Sequence, residues 1–315
     1  MKLYSPIYYQ IKQALSVITL PVLIYVPFSA SAAEHNHQIQ TEFSLETGLE
    51  YDSKLTIVEL DQLKDESDTA VKLAAKAKLN WQPTDKLAGK VSYSYSDKAY
   101  QTYDEFDLSI QQLSGELGYD FSVAKLGAYY VLADAELADK SFLSLEQTSV
   151  FASKLINNRH YLRAAVNFSE KELDDFAGRN SDGTGYSLDY FLFLNQAKSY
   201  WSAGVWKDEQ DAQLNEFDYQ ENGLKGAFSH GFSAVGFEQN LQLGIHYLTR
   251  DYQYVTPLIG ETRNDSRRIL KASWKINFND YLGLKTQLEQ ASYQSNLASA
   301  DYNEQLASVH LIATF

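Results

Sequence analysis

Charged side chains recur at even spacing in this 315-residue chain, with small or apolar residues between them. Lys72, Lys76 and Lys78 alternate with Val71, Leu73, Ala75, Ala77, Leu79 and Trp81. Lys90, Arg163, Arg267, Lys271, Lys275 and Lys285 are set in the same way, as are Glu42, Glu46, Glu50, Glu116, Glu146, Asp189 and Glu289. Charges so placed can do one of two things. Carboxylates and ammonium groups facing each other on adjacent strands would form an internal lattice of ion pairs. A surplus of cations along a water-filled passage would instead favour anionic or polar solutes. The bases group on the second to third and twelfth to thirteenth of the strands counted below, with the acids of the first strand between them.

Catalysis finds no support in the sequence. His160, His230, His246 and His310 are scattered singly, and no Ser, His and acid are obliged to converge at a rim. No loop carries a metal-ligand spacing, and no glycine-rich phosphate loop is present, so neither an enzyme nor a cofactor is expected. The net charge of −14 excludes a basic nucleic-acid surface. Glu59-Leu60-Asp61, Asp65-Glu66, Asp104-Glu105 and the acids at 172–175 and 208–211 read as hydrated loops facing lipopolysaccharide and divalent cations.

The elements that must position these charges follow from a period of two. Phe43, Leu45, Leu49 and Tyr51 share a face in a first strand, and the Val71–Trp81 set forms a second. The alternation continues through a sixth strand, with Leu143, Leu145, Phe151 and Leu155 on its apolar side and Glu146 opposite. A tenth strand changes parity around Glu221–Gly223, which predicts a bulge. Fourteen strands result, each about ten residues long, the length a transmembrane strand needs. Short connections near 82–86, 122–125, 157–158, 195–198, 230–236 and 279–280 alternate with long ones near 53–68, 97–107, 133–142, 169–184, 208–216, 251–264 and 292–304.

The predicted fold is therefore all-β: an antiparallel up-and-down transmembrane barrel of about fourteen strands, with both termini in the periplasm. Pro83 and Pro257 fall in connections, as a fully paired ladder demands. The 23 Tyr and 16 Phe suit interfacial girdles. A soluble sandwich would share the alternation, but its outer face would not stay free of charge through every strand.

Residues 1–33 read as a signal peptide, with an apolar run from Ala14 to Phe28 and small residues at 29–33. Residues 34–315 form the barrel domain, placed in the outer membrane of a Gram-negative bacterium. With no Cys in the chain, stability must come from packing and from the closed ladder. The last strand alternates Val309, Leu311, Ala313 and Phe315, the pattern that barrel assembly machinery recognises.

Several stretches, taken in order, carry a resemblance. They are Tyr51-Asp52-Ser53-Lys54-Leu55-Thr56, Phe217-Asp218-Tyr219, Thr249-Arg250-Asp251-Tyr252, Arg263-Asn264-Asp265-Ser266-Arg267-Arg268, Tyr293-Gln294-Ser295-Asn296 and Asp301-Tyr302. Together they resemble the barrel domain of the surface lipoprotein assembly modifiers and related tetratricopeptide-linked outer-membrane barrels. The resemblance implies a barrel that moves client lipoproteins to the cell surface. Strand one starts soon after the signal, leaving no room for the repeat domain, so a separate periplasmic repeat protein would have to supply that part. The alternative is a passive, porin-like channel for small polar or anionic solutes.

Overall fold

The structure, a computed structural model, describes residues 38–195 and 197–315; the expected signal peptide lies outside them. Fourteen strands form the wall: β1 (Gln38–Asp52), β2 (Asp68–Gln82), β3 (Leu87–Tyr100), β4 (Leu108–Asp120), β5 (Lys125–Leu137), β6 (Lys140–Ile156) and β7 (His160–Leu173), followed by β8 (Ser181–Leu194), β9 (Ser199–Ala212), β10 (Tyr219–Ala234), β11 (Phe237–Thr256), β12 (Glu261–Asn277), β13 (Leu282–Ser295) and β14 (Tyr302–Thr314). Each pairs antiparallel with its sequence neighbours, and β14 pairs with β1 to close the cylinder.

Closure follows from the sequence pattern. Alternate residues put one apolar face outward, and only a sheet without edges satisfies every backbone group in lipid. Leu49, Val71, Val91, Leu117, Val205 and Leu311 are each about half exposed on the outer face, a belt that water would not tolerate on this scale. Aromatic residues edge the belt. Trp81, Tyr119, Trp201, Trp274, Phe278 and Phe315 are exposed towards the end holding the chain termini, and Tyr51, Tyr93, Tyr130, Phe168 and Tyr186 towards the other.

The seam is tightly specified. Pairing runs from Ser44↔Thr314 to Asp52↔Leu306, and Phe43 and Phe315 exchange backbone hydrogen bonds of 3.0 and 2.8 Å. The Phe315 ring packs beside Phe43 and Tyr281. Gly48 lies where a Cβ would come within 2.1 Å of the Val309 carbonyl oxygen.

Four expectations need correction. First, the strands are 13 to 20 residues long rather than about ten, with β11 the longest. They run on past the apolar belt and absorb much of the connections read as long. The connection placed near 133–142 is only the turn Ala138-Asp139, both residues left-handed at φ 47° and 60°, as a two-residue hairpin turn requires.

Second, β6 faces the other way: Leu143, Leu145 and Phe151 are buried inside, while Glu146 is exposed on the outer face. Third, β10 has no bulge; it pairs continuously with β9 and β11. Its parity changes because Tyr219 turns inward and Gly223 makes room for the Trp206 ring, which would lie 1.9 Å from a Cβ there. Register shifts occur instead at Ala135/Glu136 and Asp251/Val255.

Fourth, the acidic connection from β1 to β2 is not a hydrated surface loop. It folds back into the barrel mouth as a small hairpin, Leu55–Ile57 paired with Gln62–Lys64 around a 3-10 turn at Val58–Leu60.

Candidate functional site: a stoppered lumen

The hairpin crosses the mouth from wall to wall. On one side Leu55, Ile57 and Val58 pack into a buried cluster with Phe106, Leu108, Ile110, Leu143, Leu145 and Leu173. On the other, Leu63 packs on Ala291, Tyr293, Tyr302 and Leu306. Burying Leu55 and Ile57 completely stabilises the docked position by about 1.5–3 kcal/mol each. This is why β6 turns its apolar residues inward: at this level the inner face must back a hairpin rather than meet water. Between the hairpin and the β12–β14 wall, a gap lined by Ile57, Asp61, Arg267 and Tyr302 measures about 10 Å³, the room of a single water.

Ion pairs fix the hairpin turn. Lys171 of β7 donates to Glu59 at 2.7 Å. Arg179, in the 174–180 connection, donates to the Glu59 carbonyl at 2.6 Å and to the Asp61 carboxylate at 2.7 Å. Arg263 of β12 reaches the other Asp61 oxygen at 2.8 Å and forms a two-pronged pair with Asp265. Burial alone would push the Asp61 carboxyl up, but the Arg179 and Arg263 guanidiniums reverse this and hold it below its ordinary value of 3.8. Lys64 closes the last strand on Glu105 at 2.9 Å.

Aromatic rings hold the clamping cations from behind. Arg179 lies over Phe217 at 4.0 Å, Arg263 over Tyr252 at 4.6 Å and Arg250 over Tyr219 at 3.9 Å. Arg250 also bonds Glu221 at 2.8 Å, and Trp206 donates to the same carboxylate at 3.1 Å. Below the hairpin, Lys98 is buried between Glu50 and Asp52, whose carboxylate also accepts from the Tyr100 hydroxyl.

Glu146 apart, the wall charges expected to line the lumen lie on the side of the sheet opposite the apolar belt, and most are paired. Lys78 meets Glu42, and Lys72 meets Glu50 at 3.7 Å. Lys285 and His310 approach Glu46 at 3.4 and 3.3 Å. Lys271 pairs with Glu289 at 3.0 Å, Arg163 with Glu116 at 3.3 Å, and Lys225 with Asp189 at 2.8 Å. Arg267, almost fully buried, sits against Asp265 and the Tyr293 ring. Lys76, Lys90 and Lys275 are half-buried with no carboxylate within 4 Å among the described residues.

The wall is also ordered along its cross-strand rows. Lys275↔Lys285, Lys285↔His310, His310↔Gly48, Gly48↔Lys72 and Lys72↔Lys98 are direct register partners. A row of five bases thus crosses six seam-side strands, interrupted only by Gly48.

This architecture has known counterparts. OmpT of Vibrio cholerae, expressed in the outer membrane, superposes with a TM-score of 0.54 over 90% of this chain and 99% of that one, at 10% identity. In-vitro folded OmpT of Vibrio cholerae gives 0.52 over 91% and 100%, at 8% identity. The fold is that of an outer-membrane β-barrel. A closed cylinder with an apolar outer belt belongs in a bilayer, here the outer membrane of a Gram-negative bacterium. Identities this low speak for the barrel fold alone. No family model and no curated protein matches the chain.

No chemical pattern in the sequence marked the clamp as a site. Arg250, Arg263, Asp265, Tyr252, Tyr293 and Tyr302 all lie in the stretches quoted above for the family resemblance. Arg179 and Lys171 had no local signal, because their partners lie more than a hundred residues away.

Proposed function

We propose that the barrel is a stoppered channel, passing small polar or anionic solutes when the β1–β2 hairpin leaves its mouth. The observation that carries this reading is the unpaired trio Lys76, Lys90 and Lys275 on a wall already rich in bases. A purely structural lattice would have neutralised these amines, and instead they leave the lumen with cations free to meet a solute. The chain ends lie on the periplasmic side in this reading, and the hairpin faces outward.

The test is conductance of the refolded barrel in planar bilayers. The native chain is expected to be almost silent, and deletion of 54–66 to open steady, anion-favouring steps. Charge reversal at Lys76, Lys90 and Lys275 in the deleted form should move the reversal potential towards cation selectivity. A cation-selective or still silent deletion variant would sink the reading.

A second reading, translocation of surface lipoproteins with a periplasmic repeat protein, is favoured by a different observation. The stretches that carry the family resemblance, scattered from Tyr51 to Tyr302, meet around the hairpin and its clamp. A client lipoprotein that reaches the surface equally well without the barrel would remove this reading.

A further inference from the structure

We infer that Lys171, Arg179 and Arg263 form a receptor for small polyanions of the phosphate type, which Glu59 and Asp61 of the hairpin occupy in the closed state as a tethered mimic. The inference deepens the stoppered-channel reading and rests on it. Its starting point is that the three cations belong to the wall. Lys171 is on β7, Arg179 is stacked on Phe217, and Arg263 is held by Tyr252 and by both oxygens of Asp265. The two guanidiniums keep these wall contacts without the hairpin, and Lys171 stays anchored through β7 although its ammonium loses Glu59, so the cations remain grouped after the hairpin's departure.

The hairpin, by contrast, depends on the site. It has three register pairs, Leu55↔Lys64, Thr56↔Leu63 and Ile57↔Gln62, far too few for a free-standing hairpin. Its turn also holds Asp61 in a left-handed conformation at φ 52°, unfavourable for a residue with a side chain unless contacts fix it.

The ligand class follows from charge and geometry. With Glu59 and Asp61 withdrawn, three cations face one carboxylate, Asp265, in a partly dehydrated recess. Such a recess favours an anion that replaces the two carboxylates. Two guanidiniums that grip the separate oxygens of one group, Asp61, present the fork that suits a phosphate group. A solute carrying paired phosphates could bridge the sites vacated by both carboxylates, and by holding them it would keep the mouth open.

Pyrophosphate is the probe, and calorimetry on the refolded barrel is the readout. The 54–66 deletion is expected to bind it at least tenfold more tightly than the native chain, where the tethered carboxylates compete. In the deleted form, Arg179→Gln with Lys171→Gln should weaken binding tenfold or more, while Lys86→Gln with Lys198→Gln, exposed in connections at the far end of the barrel, should leave it within twofold. Glu59→Gln with Asp61→Asn, which keeps the hairpin, should bind like the deletion. A heat-dependent gel shift checks that each variant has folded. Equal affinity in native and deleted forms overturns the proposal. So does binding that the clamp substitutions leave unchanged. Both results are independent of conductance, so a silent channel and an absent receptor are separable failures.

Discussion

Asp61 shows how much one side chain's environment decides. Exposed in a loop, it would be an ordinary acid; in the barrel mouth each of its oxygens bonds a different guanidinium. Because its folded value lies below 3.8, its contribution to docking is complete above that value and is lost as pH falls through the folded one. Hairpin release is therefore expected only in strong acid, read as a rise in channel opening below about pH 3.8. Asp61→Asn should open the channel at neutral pH and abolish the acid step. An unchanged acid step in that variant would assign the effect to other carboxylates.

At the scale of elements, the seam between β1 and β14 and the hairpin impose opposite demands. The seam needs close backbone approach, which Gly48 permits. A Cβ there would meet the Val309 carbonyl oxygen at 2.1 Å and the His310 Cα at 2.7 Å, both backbone atoms with little room to yield. Gly48→Leu should destabilise closure by about 1–3 kcal/mol or more, seen as loss of the heat-modifiable folded form. Gly115→Ala is the control, since its nearest neighbour is 4.0 Å away; equal loss in both variants would refute the steric argument. The hairpin needs the reverse, a wall with apolar residues turned inward, and β6 supplies them.

For the whole molecule, the two ends of the cylinder differ in kind. The end with the termini has an aromatic border and turns such as 157–159; the other has strands extended past the belt and the docked hairpin. If that second end faces outward, an epitope inserted after Ile259 will be labelled on intact cells and one after Asn158 will not. The reverse labelling would invert the orientation. Val309, Leu311 and Phe315, expected as an assembly signal, all face outward at the seam. There Phe315 also closes the ladder on Phe43, so its truncation should lower folded yield even for protein refolded without any assembly machinery.

Alternation of side chains is a local property of extended chain, and so the sequence alone determined the barrel, its fourteen strands and the outward face of nearly all of them. The side taken by most wall charges follows for the same reason: a pleat sends every second residue to the same side, and Glu146 departs from it with the rest of β6. The direction taken by residues 53–67 was decided only by the tertiary structure. An acid bound for water and one bound for a guanidinium cage look alike in sequence, and the cage exists only after closure brings β7, β12 and the 174–180 connection around one mouth. The reversed face of β6 follows from that same docking, because an apolar residue reads identically whether lipid or a folded-in hairpin is to cover it.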